Sequence, residues 1–241
     1  MLNFGSRLVK SALRVGNTVP LTMAAVGMLL ASSCNSEKLL SARFEIEAIG
    51  SEPNIDQEVG KCRVVGIGSV RIEHLPGGGG KWVHLTTGPE VGSHARFRCS
   101  FIGTRGEGHY LVTFRLFIPD RMGAFVQFQS GVTTPPTEFF TLELPTNGIL
   151  RDPTSFSVIG RFPHDKVFSV AVNLEIGSAS RVEVTLLGGA QGSFTRDVPS
   201  SSIDFPRTFS AIELLTDSSI PGSTFFADDL LAIFNRPSTR R

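Results

Sequence analysis

Between His109 and Ile118, apolar and polar positions alternate with a period of two. Tyr110, Val112, Phe114, Leu116 and Ile118 fall on one side, and His109, Leu111, Thr113, Arg115 and Phe117 on the other. Successive side chains of a strand point to opposite faces, so this is the pattern of a half-buried strand. The same beat recurs over 124–129, 139–144, 166–176 and 181–186. Residues 43–49, 62–74, 81–86, 191–196, 208–215 and 224–235 add further strands, and Phe156 and Val158 start a short one. Pro76-Gly77-Gly78-Gly79-Gly80, Pro119-Asp120 and Gly188-Gly189 mark turns, and 51–60, 197–206 and 217–222 read as loops. About twelve strands with turn chemistry between them and no long helical stretch predict an all-β antiparallel sandwich or barrel over 43–235.

The first 34 residues break this pattern. Arg7, Lys10 and Arg14 precede a short apolar run that ends in Ala31-Ser32-Ser33-Cys34. A cationic start, a short apolar centre and small residues before a cut describe a secretory signal peptide over 1–33. The apolar part falls short of the roughly 20 residues that cross a bilayer core. Ala31-Ser32-Ser33-Cys34 resembles the lipobox of bacterial lipoproteins, although Leu30 stands one place early. That resemblance implies a lipid on Cys34, a tether over 34–42 and an outer-membrane or cell-surface destination. Ala31 and Ser33 equally suit ordinary signal peptidase, which implies a periplasmic or secreted protein. Residues 236–241 form a short basic tail.

Composition narrows the partners. The leader holds three cations and no anion, leaving 20 Lys and Arg against 22 Asp and Glu, a net charge of about −2. No basic stripe exists for nucleic acid. Roughly 200 residues suffice for a substantial core. With Cys34 assigned to the lipid, Cys62 and Cys99 remain in an oxidising compartment. Cys99 shares a face with Phe97 and Phe101, so it points to the core. The expectation is a Cys62–Cys99 disulfide; two buried free thiols is the other reading.

The last strand, Thr224-Phe225-Phe226-Ala227-Asp228-Asp229-Leu230-Leu231-Ala232-Ile233-Phe234, is similar to the closing strand of secreted jelly-roll domains. Phe44-Glu45-Ile46-Glu47-Ala48 is similar to the first strand that pairs beside it. Together with the cadence of 108–120 and 167–188, these stretches resemble carbohydrate-binding modules and laminin-G-like domains. The resemblance implies a jelly-roll β-sandwich and a structural Ca²⁺ held by Glu45 or Glu47 with Asp228 or Asp229. Adjacent Asp228 and Asp229 point to opposite faces, so one is directed inward, and a buried carboxylate needs a cation or hydrogen bonds.

Three functions compete: a non-catalytic glycan-binding module, an envelope protein with a protein partner, and a glycanase or polysaccharide lyase on the same scaffold. Sugar platforms use exposed Trp and Tyr, and this chain has one of each. Trp82 follows the glycine run, while Tyr110 lies on the core side. A hydrogen-bonding face is the alternative platform. Arg115, Gln127, Glu143 and Asn173 are its ligand-binding candidates, with His109, Thr113, Gln129 and Glu175 on the same side of the alternation. Phe117, Phe125 and Phe139 also fall opposite the core, and if clustered they would mark a protein contact. Catalytic signatures are poor: no Gly-x-Ser-x-Gly, no His-Glu-x-x-His and no acidic triad along a strand. His84 and His94 would meet across a hairpin, without a third metal ligand.

Overall fold

The computed structural model describes residues 36–90, 92–131, 137–178, 180–198 and 208–236. The expected signal peptide, Cys34 and residues 237–241 of the basic tail lie outside the described residues. Fifteen strands follow in chain order. They are β1 (Ser36–Ala42), β2 (Lys61–Val64), β3 (Ser69–His74), β4 (Lys81–Thr86), β5 (Arg96–Arg105), β6 (Gly108–Phe117), β7 (Ala124–Ser130) and β8 (Thr137–Leu144). There follow β9 (Ile149–Asp152), β10 (Ser157–Arg161), β11 (Val167–Ile176), β12 (Ser180–Leu187), β13 (Ser193–Val198), β14 (Phe209–Thr216) and β15 (Thr224–Asn235). One sheet runs β13-β12-β11-β6-β15-β4-β3, with β1 also paired to β15; the other runs β10-β9-β8-β7-β14-β5-β2. Every pairing is antiparallel, and the described residues contain no helix.

The period-two pattern decides which side of each sheet is buried. Tyr110, Val112, Phe114 and Leu116 of β6 and Val170, Val172 and Leu174 of β11 project from the β15 sheet. Phe97, Cys99, Val126, Phe128, Phe140, Leu142, Ile212 and Leu214 meet them from the β14 sheet in one continuous core. Each such side chain contributes about 1.5–3 kcal/mol of transfer free energy. Cys62 and Cys99 are directly opposed across β2 and β5 and form the expected disulfide. A second contact between the layers is ionic. Arg196 of β13 donates through a terminal guanidinium nitrogen (Nη1) to Asp152 of β9 at 2.6 Å, and its guanidinium lies over the Phe140 ring.

Four stretches depart from the sequence expectation, one of them the unexpected short strand β9. The stretch expected as a tether contains β1, whose Leu39 and Leu40 are fully buried and which pairs along β15 from Asn235 to Leu230. Its charged start hid it; Glu37 is held there by Arg105. Residues 43–49, expected as the first strand, instead turn: Phe44 is buried, Ile46 is 94% exposed and Glu47 is buried, which inverts the alternation. The expected strand 62–74 is two strands in different sheets. Gly66 and Gly68 allow the crossing, since a Cβ would meet His94 O at 2.2 Å in the first and Ala95 at 2.6 Å in the second.

Candidate ligand-binding face

The outer surface of the β14 sheet carries an ordered polar array. Antiparallel register aligns Arg63 of β2, Arg98 of β5, Glu213 of β14, Gln127 of β7 and Thr141 of β8 in one cross-strand row. A neighbouring row holds Arg96, Leu215, Phe125, Glu143 and Arg151. These positions lie on the side away from the core because the residues between them, Phe97, Leu214, Val126 and Leu142, fill it; Glu213, Thr141 and Leu215 are nonetheless buried under their neighbours, and Arg63, Arg98 and Gln127 reach solvent. Glu213 is 1% exposed, and a buried carboxylate needs compensation. Arg96 Nε donates to its Oε1 at 2.7 Å, and Gln129 Nε2 donates to Oε2. Glu143 takes two hydrogen bonds from Arg151, at 2.5 and 2.6 Å, a bidentate pair. The centre is therefore a pre-arranged hydrogen-bonding surface. Both oxygens of Glu213 are engaged by donors, which leaves it as a positioning group and not a free acid.

At the β2–β5 edge of this sheet lies an open depression of about 460 Å³, lined by Asp56, Glu58, Lys61, Ser100, Phe101 and Ile102 among others. Lys61 pairs with Asp56 at 3.2 Å, so the depression carries acid as well as base.

The five ligand-binding candidates do not converge. Gln127 and Glu143 belong to the array just described. Arg115, Trp82 and Asn173 lie on the outer surface of the opposite sheet, with His109, Thr113 and Glu175. The alternation placed all of them except Trp82 opposite the core without saying which sheet each belongs to; Trp82 was a candidate for its place after the glycine run, with a core position as the other reading. Trp82 is 1% exposed, donates to Gly79 O at 2.9 Å and lies under the Arg115 guanidinium at 4.8 Å. It packs with Leu75, Phe117 and Phe226, so it offers no free ring for a sugar. Tyr110 is buried and donates to Gly106 O at 2.6 Å. The three outward phenylalanines do not cluster. Phe117 sits in that small apolar group, Phe139 turns inward against Phe209, and only Phe125 remains on the β14-sheet surface. A register shift beyond Phe128 explains Phe139, which moves to the core side.

The calcium candidates also separate. Glu47 is buried in its own turn, where Asn54 N–H and Gln57 Nε2 donate to its carboxylate. Asp229 sits at a bulge of β15 with φ +52° and is held by Arg43 and Arg115. Asp228 and Glu45 remain within electrostatic reach of each other, and Glu45 lies against Gly80. Asp228 is 3% exposed and its Oδ1 has no hydrogen-bond partner. Burial, then the adjacent Asp229, pushes its carboxyl up to about 6. Its Oδ2 lies 3.7 Å from Arg115 Nη1, so a guanidinium already offsets part of the charge, and the orphaned Oδ1 is the one atom left that a cation would complete. Among the described residues, no three His, Cys, Asp or Glu come together as a metal cluster, so backbone carbonyls and water would supply the remaining oxygens.

His84 and His94 do not meet. His94 Nδ1 lies 3.0 Å from Thr216 O. His84 Nδ1 is 2.8 Å from Glu73 and its Nε2 contacts Thr224 Oγ1, with the ring stacked on Phe226. Burial holds this imidazole below its usual range, against the pull of Glu73.

Arg63, Arg96, Arg98, Arg151 and Glu213 were not singled out from the sequence. One signal was present: Glu213 interrupts the apolar run Ala211-Ile212-Glu213-Leu214-Leu215, and a charge inside such a run marks a buried, partnered group.

No protein-family model and no curated protein matches the chain. Solved structures do. Peanut lectin aligns at 12% identity with a TM-score of 0.52, over 84% of this chain and 100% of the lectin. A carbohydrate esterase from the Shiga toxin-encoding bacteriophage phi24B aligns at 15% and 0.51, over 84% of this chain and all of the esterase. A sialidase aligns at 14% and 0.53, over 86% of this chain but 19% of the sialidase, so the chain spans about a fifth of that protein. At these identities the likeness establishes the fold, a lectin-like jelly-roll sandwich.

Proposed function

We propose that this chain is an exported, non-catalytic glycan-binding protein of a bacterial envelope, held at the membrane by a lipid on Cys34. The observation that carries the reading is the cross-strand row in which Arg63, Arg98 and Gln127 reach solvent around the buried, saturated Glu213. Such a row supplies donors and acceptors at the strand spacing of roughly 4.7–4.9 Å, and fixed planar amide and guanidinium groups suit the hydroxyls of a sugar chain. Buried Trp82 and Tyr110 mean that hydrogen bonding, rather than ring stacking, carries recognition. The fold is shared with lectins and with carbohydrate enzymes, and by itself favours neither. The saturated Glu213 favours binding over acid–base catalysis. A structural Ca²⁺ at Asp228 and Glu45 belongs to the same proposal, as a support for the β15 bulge.

The test is a glycan array with the full chain. Binding that Gln127→Ala abolishes supports the reading. A silent array together with polysaccharide cleavage products would replace it by the enzyme alternative, and a silent array with a captured envelope protein by the protein-interaction alternative. The mass of Cys34 in the mature protein checks the anchor: absence of acyl groups reduces it to simple secretion.

A further inference from the structure

The cationic end of the array is out of balance. Arg63 and Arg98 are directly opposed across β2 and β5, and like charges in that position repel. Arg96 lies two residues from Arg98 on the same face of β5 and adds a third guanidinium. One carboxylate, Glu213, faces them, and it is already bonded by Arg96 and Gln129. Glu143 is likewise taken by Arg151. Neither Arg63 nor Arg98 forms a salt bridge among the described residues, and Arg98 Nε is buried with no hydrogen-bond partner. Burial is the first cause holding the Arg98 guanidinium below its ordinary pKa; Arg63 and Arg96 lower it further while Glu213 resists. Chain folding thus leaves two guanidinium groups side by side at the end of a hydrogen-bonding row, each with donors to spare.

We infer that Arg63 and Arg98 form a subsite for an anionic sugar substituent, so that the glycan read by the β14-sheet face is an acidic polysaccharide. The inference rests on the glycan-binding reading above and adds the substrate class to it. A carboxylate or sulfate between the two arginines would convert their mutual repulsion into two charge-assisted contacts, with the planar fork of each available for bidentate pairing. The neutral part of the sugar chain would then run past Gln127, where no unpaired charge opposes it. The depression beside Lys61 is a poorer place for an anion, since Asp56 and Glu58 line it.

The experiment measures binding of the full chain to polygalacturonate, to the same polymer with its carboxylates reduced to alcohols, and to dextran sulfate. The expected result is tight binding to at least one acidic polymer and at least tenfold weaker binding to the reduced one. Arg63→Gln and Arg98→Gln should each weaken binding by about tenfold, and raised salt should weaken it further. Arg63 is exposed, so Arg63→Gln should leave thermal unfolding unchanged or move it upward as the repulsion is relieved. Preference for polygalacturonate assigns the anion as carboxylate; preference for dextran sulfate assigns it as sulfate. Equal binding of the acidic and reduced polymers, or undiminished binding by Arg63→Gln, overturns the acidic subsite and leaves glycan binding standing. Failure on these polymers and on a full array of neutral glycans overturns both.

Discussion

The ion pair between the two sheets offers a stringent test of how the sandwich is held. Arg196→Met removes the guanidinium and keeps most of the side-chain length. It strands Asp152, which is 0% exposed, with Thr154 N–H at 3.0 Å and Ser155 Oγ at 2.7 Å as its remaining donors. Breaking a buried pair from one side costs about 3–5 kcal/mol. Asp152 keeps those two donors, so the lower end applies, about 3 kcal/mol. In a domain of this size each kcal/mol moves the midpoint by about 2–4 °C, which gives a fall of roughly 6–12 °C. Asp152→Asn should cost a similar amount, because Arg196 then loses its carboxylate while its cation stays over Phe140. The double variant should cost less than the sum of the two by about 2 kcal/mol, since an uncompensated charge arises only in the singles. Urea and thermal unfolding of the four proteins, followed by circular dichroism, measure this cycle. Single losses below about 1 kcal/mol, or strict additivity, would refute the reasoning.

Three further outcomes are expected. Replacing Cys62 and Cys99 by Ala frees a loop of 37 residues and should lower stability by about 4 kcal/mol in the chain-entropy model; a change under 1 kcal/mol in denaturant unfolding would contradict it. The His84 imidazole is harder to protonate folded than unfolded, so the unfolded chain takes up the proton first and this residue's contribution to stability should fall as pH drops below 6.5, opposite in sign to that of the raised Asp228 carboxyl. His84→Gln should flatten that part of the profile, and an unchanged slope in urea midpoints between pH 7.5 and 5 would count against it. Added Ca²⁺ should raise the unfolding temperature, chelator should reverse the rise, and Asp228→Asn should abolish the response; equal unfolding with and without the ion would remove calcium from the proposal.

Much of the core was legible along the chain. Tyr110 to Ile118 and Phe168 to Ile176 alternate so regularly that their buried faces follow from the pleat alone. Phe97, Cys99 and Phe101 were placed inward by the same rule, and of the two readings left for the inward thiols the structure has the disulfide. The rule failed where the chain leaves the pleat. Residues 43–49 alternate yet turn, so that Ile46 faces solvent and Glu47 does not. Phe156 is 82% exposed at φ +54°, and in the neighbouring β10 it is Ile159 that turns inward.

Period two reports which side of a strand is buried and carries no information about its neighbours. For that reason all-β character and the inward faces of the regular strands were determined by the sequence itself, while the thiol pair was one of two readings it left open. The division of Arg115 and Gln127 between opposite surfaces was decided only by long-range pairing. So were the alignment of Arg63, Arg98 and Glu213 from three separate parts of the chain and the burial of Asp228 against Arg115 at a bulge. Register between distant strands is set by the packing of both sheets together, and no local pattern records it.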